Sequence, residues 1–203
     1  MAPQRKSFPR LFLPRAEPFR LSGERVYLRA PERGDWEAWA SLRQRSRAFL
    51  EPWEPSWPAD ALSRLSFRAR VARYAEDWRT DQAYNFFIFA QDDTLLGGVG
   101  LSNVRRGVSE TASLGYWIGE PFARQRFMTA ALPLVLDFSF DRLRLHRVEA
   151  ACLPTNVPSR ALLTRIGFTQ EGYARQYLCI AGQWQDHVLF AMLRDDWRRL
   201  SRG

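Results

Sequence analysis

The spacing of apolar positions divides the chain into helical and extended segments. Apolar residues recur at helical intervals from Trp36 to about Phe49, and again between Ala61 and Thr80, which predicts two helices. Asp35 immediately precedes the first of them and is a candidate N-cap. Runs rich in β-branched and aromatic residues, separated by turn residues, predict strands. The predicted strands are Val26–Arg29, Tyr84–Ala90, Leu95–Asn103, Thr111–Gly119, Arg147–Leu153, Phe168–Ile180 and Gln183–Leu193.

Two further helices are predicted in the second half of the chain. The segment Met128–Phe140 is apolar on nearly all sides, which is typical of a buried helix. Pro133 must kink this helix or lie in its first turns. A shorter helix is predicted over Ser159–Ile166, with Gly167 as the residue that ends it. Ala181-Gly182 joins the last two strands as a hairpin signal.

The chain has 203 residues, which favours one α/β domain with a short extension. Residues 1–22 contain closely spaced prolines and predict an extended basic arm that packs its phenylalanines locally. These residues are Pro3, Pro9, Pro14, Pro18, Phe8, Phe12 and Phe19. The domain proper is predicted over residues 23–197, followed by a tail at 198–203. The N-terminal segment lacks the apolar core of a signal peptide, so a cytoplasmic protein is expected.

Composition limits the class of protein and of partner. Hydrophobic residues make up 46% of the chain and no apolar run reaches the length of a membrane span, so no membrane partner is expected. The net charge is +8, and Lys6 is the single lysine among 30 basic residues. A basic, arginine-rich surface favours an anionic partner, either nucleic acid or a phosphorylated small molecule. A coding bias that replaces lysine with arginine is the alternative interpretation of this composition.

Cysteine and histidine are too scarce for a structural metal site. Cys152 and Cys179 lie in apolar stretches and are predicted to be buried and reduced. His146 is expected to be a structural residue at a strand entrance. His187, beside Asp186, is expected to form a surface pair on the hairpin, with polarisation of an acceptor as the alternative.

Three stretches have the residue types that a catalytic or binding site needs. The loop after the fourth strand opens a helix, so its free N–H groups and the helix dipole can bind an anion. Arg124 and Arg126 add positive charge to this loop, and Thr129 adds a hydroxyl. The other two stretches are Pro154–Ser159, which leads from a strand into a helix, and Glu171-Gly-Tyr173, which follows that helix.

Taken in order, these stretches resemble the GNAT acetyltransferase superfamily, and most closely its bacterial ribosomal-protein alanine N-acetyltransferases. The resemblance extends from about Val26 to Leu193. The segments that carry it are Leu50-Glu-Pro-Trp-Glu54, Gly115-Tyr-Trp-Ile-Gly119, Met128-Thr129, Leu145-His-Arg-Val-Glu-Ala150, Asn156–Ser159, Gly167-Phe168 and Trp184-Gln-Asp186. It implies an α/β (α+β) GNAT fold. About four helices would flank a mixed, mostly antiparallel sheet of about seven strands, splayed between the fourth and fifth.

The resemblance also implies a co-substrate and its binding residues. Acetyl-coenzyme A (acetyl-CoA) would lie between the two parted strands, without a metal. Its pantetheine arm would pair with the backbone of Tyr116, Trp117 and Ile118, and Asn156 would contact that arm. The pyrophosphate would be held by the loop residues Arg124, Gln125, Arg126, Phe127, Met128 and Thr129. Trp53 and Trp57 are the tryptophans expected to touch the acceptor.

The pyrophosphate loop departs from the family pattern, in which two of its positions are usually glycine. Here those positions are Arg124 and Arg126. Glycine lets the backbone approach a phosphate and adopt unusual dihedral angles. Arginine could instead bind the phosphate directly, or it could block the pocket.

Catalytic roles follow the same resemblance. Glu171 is the candidate base, because related enzymes often use a glutamate just after the Gly-Phe step; a solvated surface charge is the alternative. The tyrosine that often protonates the leaving thiolate is replaced by Leu163. Ser159 is the remaining candidate donor, and a helix-capping role is its alternative.

The leading functional hypothesis is direct acetyl transfer from acetyl-CoA to the N-terminal amine of a protein such as a ribosomal protein. A basic surface would suit docking near ribosomal RNA, and the enzyme would be a monomer or a homodimer. A small amine or aminoglycoside is the alternative acceptor. A non-catalytic module that binds RNA or protein through its arginines is the alternative from another class.

Overall fold

Eight strands form one sheet in the computed structural model, which describes residues 19–201. In chain order they are β1 Arg20–Ser22, β2 Val26–Arg29, β3 Tyr84–Ala90, β4 Leu95–Arg105, β5 Thr111–Ile118, β6 Arg147–Cys152, β7 Thr169–Ile180 and β8 Gln183–Leu193. Their order across the sheet is β1-β2-β3-β4-β5-β6-β8-β7. The β5–β6 pair is parallel and every other neighbouring pair is antiparallel.

Six α-helices accompany the sheet: α1 Trp36–Arg45, α2 Arg47–Leu50, α3 Arg64–Arg79, α4 Phe127–Asp137, α5 Val157–Ile166 and α6 Arg194–Leu200. A π-helical segment, Phe138–Arg142, directly continues α4. Pro133 lies inside α4, so the Thr129 carbonyl lacks its usual i+4 donor. Gly167 ends α5 at a φ of 103°, as its position in the sequence predicts. No helix in the described part of the chain is long and apolar enough to span a bilayer.

Hydrophobic clusters cover both faces of the sheet. Successive strand residues point to opposite faces, so Phe86 joins the larger cluster while Phe87 joins the smaller one. The larger cluster packs against α4 and α5, with Leu132 and Leu163 fully buried. The smaller cluster packs against α1 and α3, where the Phe67 ring lies 4.8 Å from that of Trp39.

The expected fold class is confirmed, with eight strands and six helices where about seven and about four were predicted. The additional strand, Arg20–Ser22, lies within the range predicted as an arm and is only three residues long. Helix α6, which overlaps the predicted tail, is seven residues long and mostly charged. Neither segment is long enough for a periodic apolar pattern to develop.

Several local predictions need correction. Asp35 does not cap α1 with its side chain, because its carboxylate accepts hydrogen bonds from the Arg29 guanidinium at 2.6 and 2.8 Å and from the Glu32 N–H. Cys179 is exposed, whereas Cys152 is buried as predicted. Phe19 packs against the rings of Trp78 and Phe138. The prolines and the other phenylalanines of the predicted arm lie outside the described residues.

Candidate functional site

A cleft opens where β5 and β6 part. The two strands pair from Thr111 and Arg147 to Leu114 and Ala150. Beyond that point β5 continues along β4, and β6 continues along β8. The cleft between them has a volume of about 560 Å³. Because β6 no longer pairs with it, the inner edge of β5 from Gly115 onwards presents backbone groups that a ligand can bind.

The N-terminus of α4 borders one half of the cleft. Arg126 is the N-cap residue and makes no side-chain capping bond. The next three residues, Phe127, Met128 and Thr129, line the cleft. Their N–H groups belong to the first turn, which has no acceptors within the helix and lies at the positive end of the dipole. This half of the cleft is therefore suited to an anion.

Two arginines occupy left-handed backbone conformations just before α4. Arg124 has a φ of 61° and Arg126 a φ of 65°. This conformation costs an L-residue about 1–2 kcal/mol, and glycine adopts it without that cost. The loop thus keeps a backbone that favours glycine while placing two guanidinium groups at the edge of the cleft. Both side chains are exposed, and the cleft beside them stays open.

Gln125, which lies between these arginines, does not line the cleft. Its side-chain amide donates to the Pro121 backbone carbonyl at 2.7 Å, and its backbone carbonyl accepts from the Arg25 guanidinium at 3.1 Å. Arg25 also lies 4.9 Å from the centre of the Phe127 ring. The Gln125 side chain therefore supports the loop that is predicted to hold the pyrophosphate.

A pair of hydroxyl groups spans the cleft on the α5 side. The Tyr116 Oη lies 2.8 Å from the Ser159 Oγ. The Asn156 Oδ1 accepts from the Ser159 N–H at 3.1 Å and caps α5, which leaves the Ser159 hydroxyl free of that role. Burial raises the pKa of the Tyr116 phenol, so it stays protonated. Burial also raises the pKa of the nearby Cys152 thiol.

The other half of the cleft lies on the opposite face of the sheet. Leu114 and Tyr116 pack with the larger cluster, so Gly115 between them points to the α1 and α3 face. Trp53 and His187 also line the cleft. Gly115 would gain a Cβ without meeting any atom within 4 Å, which marks open space at this point.

Glu54 lines this half, and its carboxylate is already well bound. The Arg43 guanidinium donates to it through two bonds of 2.8 and 2.5 Å. The Trp57 indole N–H donates to the same carboxylate at 2.9 Å, while Arg43 lies 4.1 Å from the Trp57 ring centre. Trp57, predicted to touch the acceptor, therefore holds Glu54 and Arg43 and does not itself line the cleft. Trp53 does line it.

His187 is not on the surface of the hairpin as expected. His187 is only 2% exposed, and it lines the cleft. Asp186 faces away and accepts instead from the Tyr173 hydroxyl and the Gln176 N–H.

Glu171, the predicted base, does not line the cleft. The Arg147 guanidinium binds both oxygens of its carboxylate. This pairing lowers the pKa of Glu171 and makes it a weaker base. In the described part of the chain, no group of three or more His, Cys, Asp or Glu side chains is placed to hold a metal ion.

Comparison with known proteins agrees with this geometry. Residues 25–169 match the family model of the acetyltransferase (GNAT) domain. The "Probable N-acetyltransferase YjcK" of Bacillus subtilis is 37% identical over 177 residues, which cover 87% of this chain and 98% of that protein. The "[Ribosomal protein uS5]-alanine N-acetyltransferase" of Escherichia coli is 35% identical over 181 residues, which cover 88% and 92% of the two chains.

A solved structure has the same architecture. It is Mycobacterium smegmatis RimJ in complex with CoA-disulfide, which superposes with a TM-score of 0.81 at 32% identity and covers 87% of this chain and 88% of that one. The matching family model, the curated relatives and the parted strands lead to one assignment. The chain belongs to the GNAT acetyltransferases and is an acetyl-CoA-dependent N-acetyltransferase.

Proposed function

We propose that the protein transfers the acetyl group of acetyl-CoA to the N-terminal amine of a ribosomal protein. The single observation that carries this proposal is the cleft itself. One half ends at the N-terminus of α4, which is suited to a pyrophosphate. The other half opens on the opposite face of the sheet, past Gly115 and His187. A donor and an acceptor can therefore approach the reacting atoms from opposite faces.

The residues of the cleft fit coenzyme A. The unpaired edge of β5 from Tyr116 to Ile118 offers backbone N–H and C=O groups to the amides of the pantetheine arm. The first turn of α4 and the guanidinium groups of Arg124 and Arg126 would hold the pyrophosphate. Asn156 lines the cleft, but its side-chain oxygen already caps α5. Its amide nitrogen and backbone are the groups left to contact the arm.

Direct transfer requires little covalent chemistry from the protein. The acceptor nitrogen forms a bond to the thioester carbonyl carbon, and the carbon–sulfur bond breaks. Backbone N–H groups of Tyr116–Ile118, which β6 does not pair with, would stabilise the negative charge that develops on the carbonyl oxygen. The Tyr116 and Ser159 hydroxyls supply a proton to the leaving thiolate.

A ribosomal acceptor is supported by the named relatives and by charge. The relative from Escherichia coli is named for alanine acetylation of ribosomal protein uS5. The net charge of +8 favours association with ribosomal RNA around such an acceptor. The reaction would then take place in the cytoplasm. The other hypotheses have less support. Arg124 and Arg126 leave the cleft open. In the half of the cleft that contains Gly115 and His187, the acceptor half, Glu54 is the one carboxylate among the described lining residues, and it is paired with Arg43, so little there would attract a small cation.

The experiment is acetylation of synthetic peptides, followed by mass spectrometry and by release of the coenzyme A thiol. Peptides with the N-terminal sequences of ribosomal proteins are compared with polyamines and aminoglycosides. We expect acetylation at the α-amine of one of the ribosomal peptides. Acetylation of only small amines would replace the proposed acceptor, and binding of coenzyme A without any transfer would support the non-catalytic alternative.

Paired substitutions at Arg126 separate its side chain from its backbone. Arg126→Ala and Arg126→Gly both remove the guanidinium, so both are expected to weaken coenzyme A binding to a similar degree. Each loses a charge-assisted hydrogen bond, worth about 1.5–3 kcal/mol. Arg126→Gly should have a free energy of unfolding about 1 kcal/mol higher than Arg126→Ala, because only glycine accepts a φ of 65° without strain.

Titration calorimetry measures the affinities, and urea denaturation measures the stabilities. Arg105→Ala is the matched control, because that side chain is exposed on β4 and does not line the cleft. Tighter binding in both Arg126 variants would mean that the guanidinium obstructs the pocket.

Glu171→Gln is expected to leave kcat unchanged and to lower stability slightly at neutral pH. The carboxylate is held by Arg147 in an exposed pair, so the loss should be below about 1 kcal/mol. Because pairing lowers the pKa of Glu171 in the folded state, the pair stabilises the protein above the unfolded pKa. This stabilisation disappears as the pH falls through the folded pKa, so the wild type and the variant should converge in acid. A large drop in kcat would instead show that Glu171 takes part in the reaction.

A further inference from the structure

The acceptor half of the cleft contains one nitrogen base whose role the proposed function leaves open. His187 lies on β8. From the next position on, every second residue packs in the larger cluster beside α4 and α5, namely Val188, Phe190 and Met192. His187 therefore points to the opposite face, as Gly115 does on β5. It is 2% exposed yet lines the cleft.

The hydrogen bonding of the ring determines which nitrogen is free. The His187 Nδ1 lies 2.9 Å from the Gln185 carbonyl oxygen. A carbonyl oxygen can only accept, so Nδ1 carries the proton and Nε2 of the neutral ring keeps its lone pair. The Tyr177 ring packs edge-on at 5.8 Å and fixes the plane of the imidazole. Among the described residues, the hydrogen bond of the ring is the one at Nδ1, and none accepts from or donates to Nε2.

We infer that His187 is the general base that removes a proton from the acceptor ammonium before it attacks the thioester. This inference rests on the proposed function, because it requires an amine acceptor in this half of the cleft. The lone pair on Nε2 takes one proton from the ammonium and releases it to solvent afterwards. The freed amine bonds to the carbonyl carbon, the carbon–sulfur bond breaks, and the nitrogen gives its second proton to solvent as the amide forms. The thiolate takes one proton from the Tyr116–Ser159 pair, and solvent returns a proton to that pair.

Other titratable groups near the cleft are less suited to this step. The Glu54 carboxylate is already bound by Arg43 and Trp57. Tyr116 and Cys152 lie on the other face, and burial raises the pKa of both. Two further titratable groups lie next to His187. The Tyr177 ring packs edge-on against the imidazole, and the Asp186 carboxylate accepts a hydrogen bond from the Tyr173 hydroxyl.

The test compares two histidine variants over a range of pH. In His187→Asn the amide nitrogen can replace Nδ1 in the bond to Gln185, but no base replaces Nε2. His146→Asn is the matched control, because His146 is exposed, lies outside the cleft and is the other histidine of the chain. The acceptor is the peptide that the wild type acetylates best, and coenzyme A affinity is measured by calorimetry.

We expect kcat of His187→Asn to fall about 100-fold at neutral pH, the contribution usual for a general base. Coenzyme A affinity should be unchanged, as should every property of His146→Asn. The deficit should shrink as the pH rises above the pKa of the acceptor α-amine, about 8, because more acceptor then arrives unprotonated. An absent deficit, or one that is the same at every pH, would overturn the role of His187.

A measurement on the wild type covers the case in which His187→Asn does not fold. Nitrogen-15 chemical shifts of the two histidines report the tautomer, and His146→Asn assigns them. The inference requires a proton on Nδ1 and a lone pair on Nε2, with a shift at Nε2 when the acceptor peptide binds. The opposite tautomer would overturn it. A wild type that acetylates no amine at all would instead overturn the proposed function.

Discussion

Replacing Gly115 with phenylalanine is expected to stop acetyl transfer while the protein still folds and binds coenzyme A. A Cβ at this position meets no atom within 4 Å, so the larger side chain has room in the unliganded protein. Phenylalanine is also favourable in a strand. The new ring would project from β5 towards the acceptor half, where the amine must reach the thioester. A displaced acceptor typically costs a factor of about 100 or more in rate.

The measurements are kcat/KM for the acceptor peptide and the Kd of coenzyme A. Gly115→Ala should retain much of the activity, because a methyl group fills little of the opening. Thr129→Phe is the complementary control, since Thr129 lines the cleft at the first turn of α4 and its enlargement should weaken coenzyme A binding instead. If Gly115→Phe lost coenzyme A and kept transfer at saturating donor, the assignment of the two halves would be wrong.

The second large effect is expected at the hydroxyl pair. Ser159→Ala and Tyr116→Phe should each lower kcat by about 100-fold, because general acid assistance to the thiolate is lost. The two hydroxyls lie 2.8 Å apart and act as one donor. The double variant should therefore be no slower than the slower single variant, as is usual for groups that act together. Coenzyme A affinity should change little.

A change of donor separates this chemical role from a structural one. Aryl thioesters release a more acidic thiol, which needs less help from an acid. The deficits of both variants should shrink with such a donor. Additive losses in the double variant, or equal deficits with both donors, would contradict a shared proton donor. Helix α5 itself should remain intact, because Asn156 caps it.

Local pattern predicts the elements that build the cleft but only part of its chemistry. The strand over Thr111–Gly119, the loop before α4 and the end of α5 at Gly167 all follow from short-range signals. The parting of β5 and β6 does not follow from local pattern, but the resemblance of the ordered motifs to the GNAT superfamily predicts it. Short polar elements such as β1 and α6 were missed because three to seven residues carry too little periodicity.

Contacts between residues that are distant in sequence explain why some predicted site residues do not line the cleft. The Glu171 carboxylate is paired with Arg147, 24 positions away, and no local pattern indicates that pairing. Trp57 is held by Glu54 rather than by a substrate. His187 lies beside charged Asp186, which suggested a surface pair, yet strand alternation sends the two side chains to opposite faces. Val188 and Phe190 are apolar and occupy alternate positions of the strand. The same alternation therefore predicts that His187 points to the opposite face, and this signal could have identified it.

The most direct test of the account is a crystal structure of the protein with acetyl-CoA. We predict density for the pantetheine arm along β5 from Gly115 to Ile118, with the pyrophosphate at the first turn of α4 between Arg124 and Arg126. The thioester should lie between the Tyr116–Ser159 pair and His187. A cleft filled by the two arginine side chains, with no ligand at saturating concentration or with ligand bound elsewhere, would contradict the account.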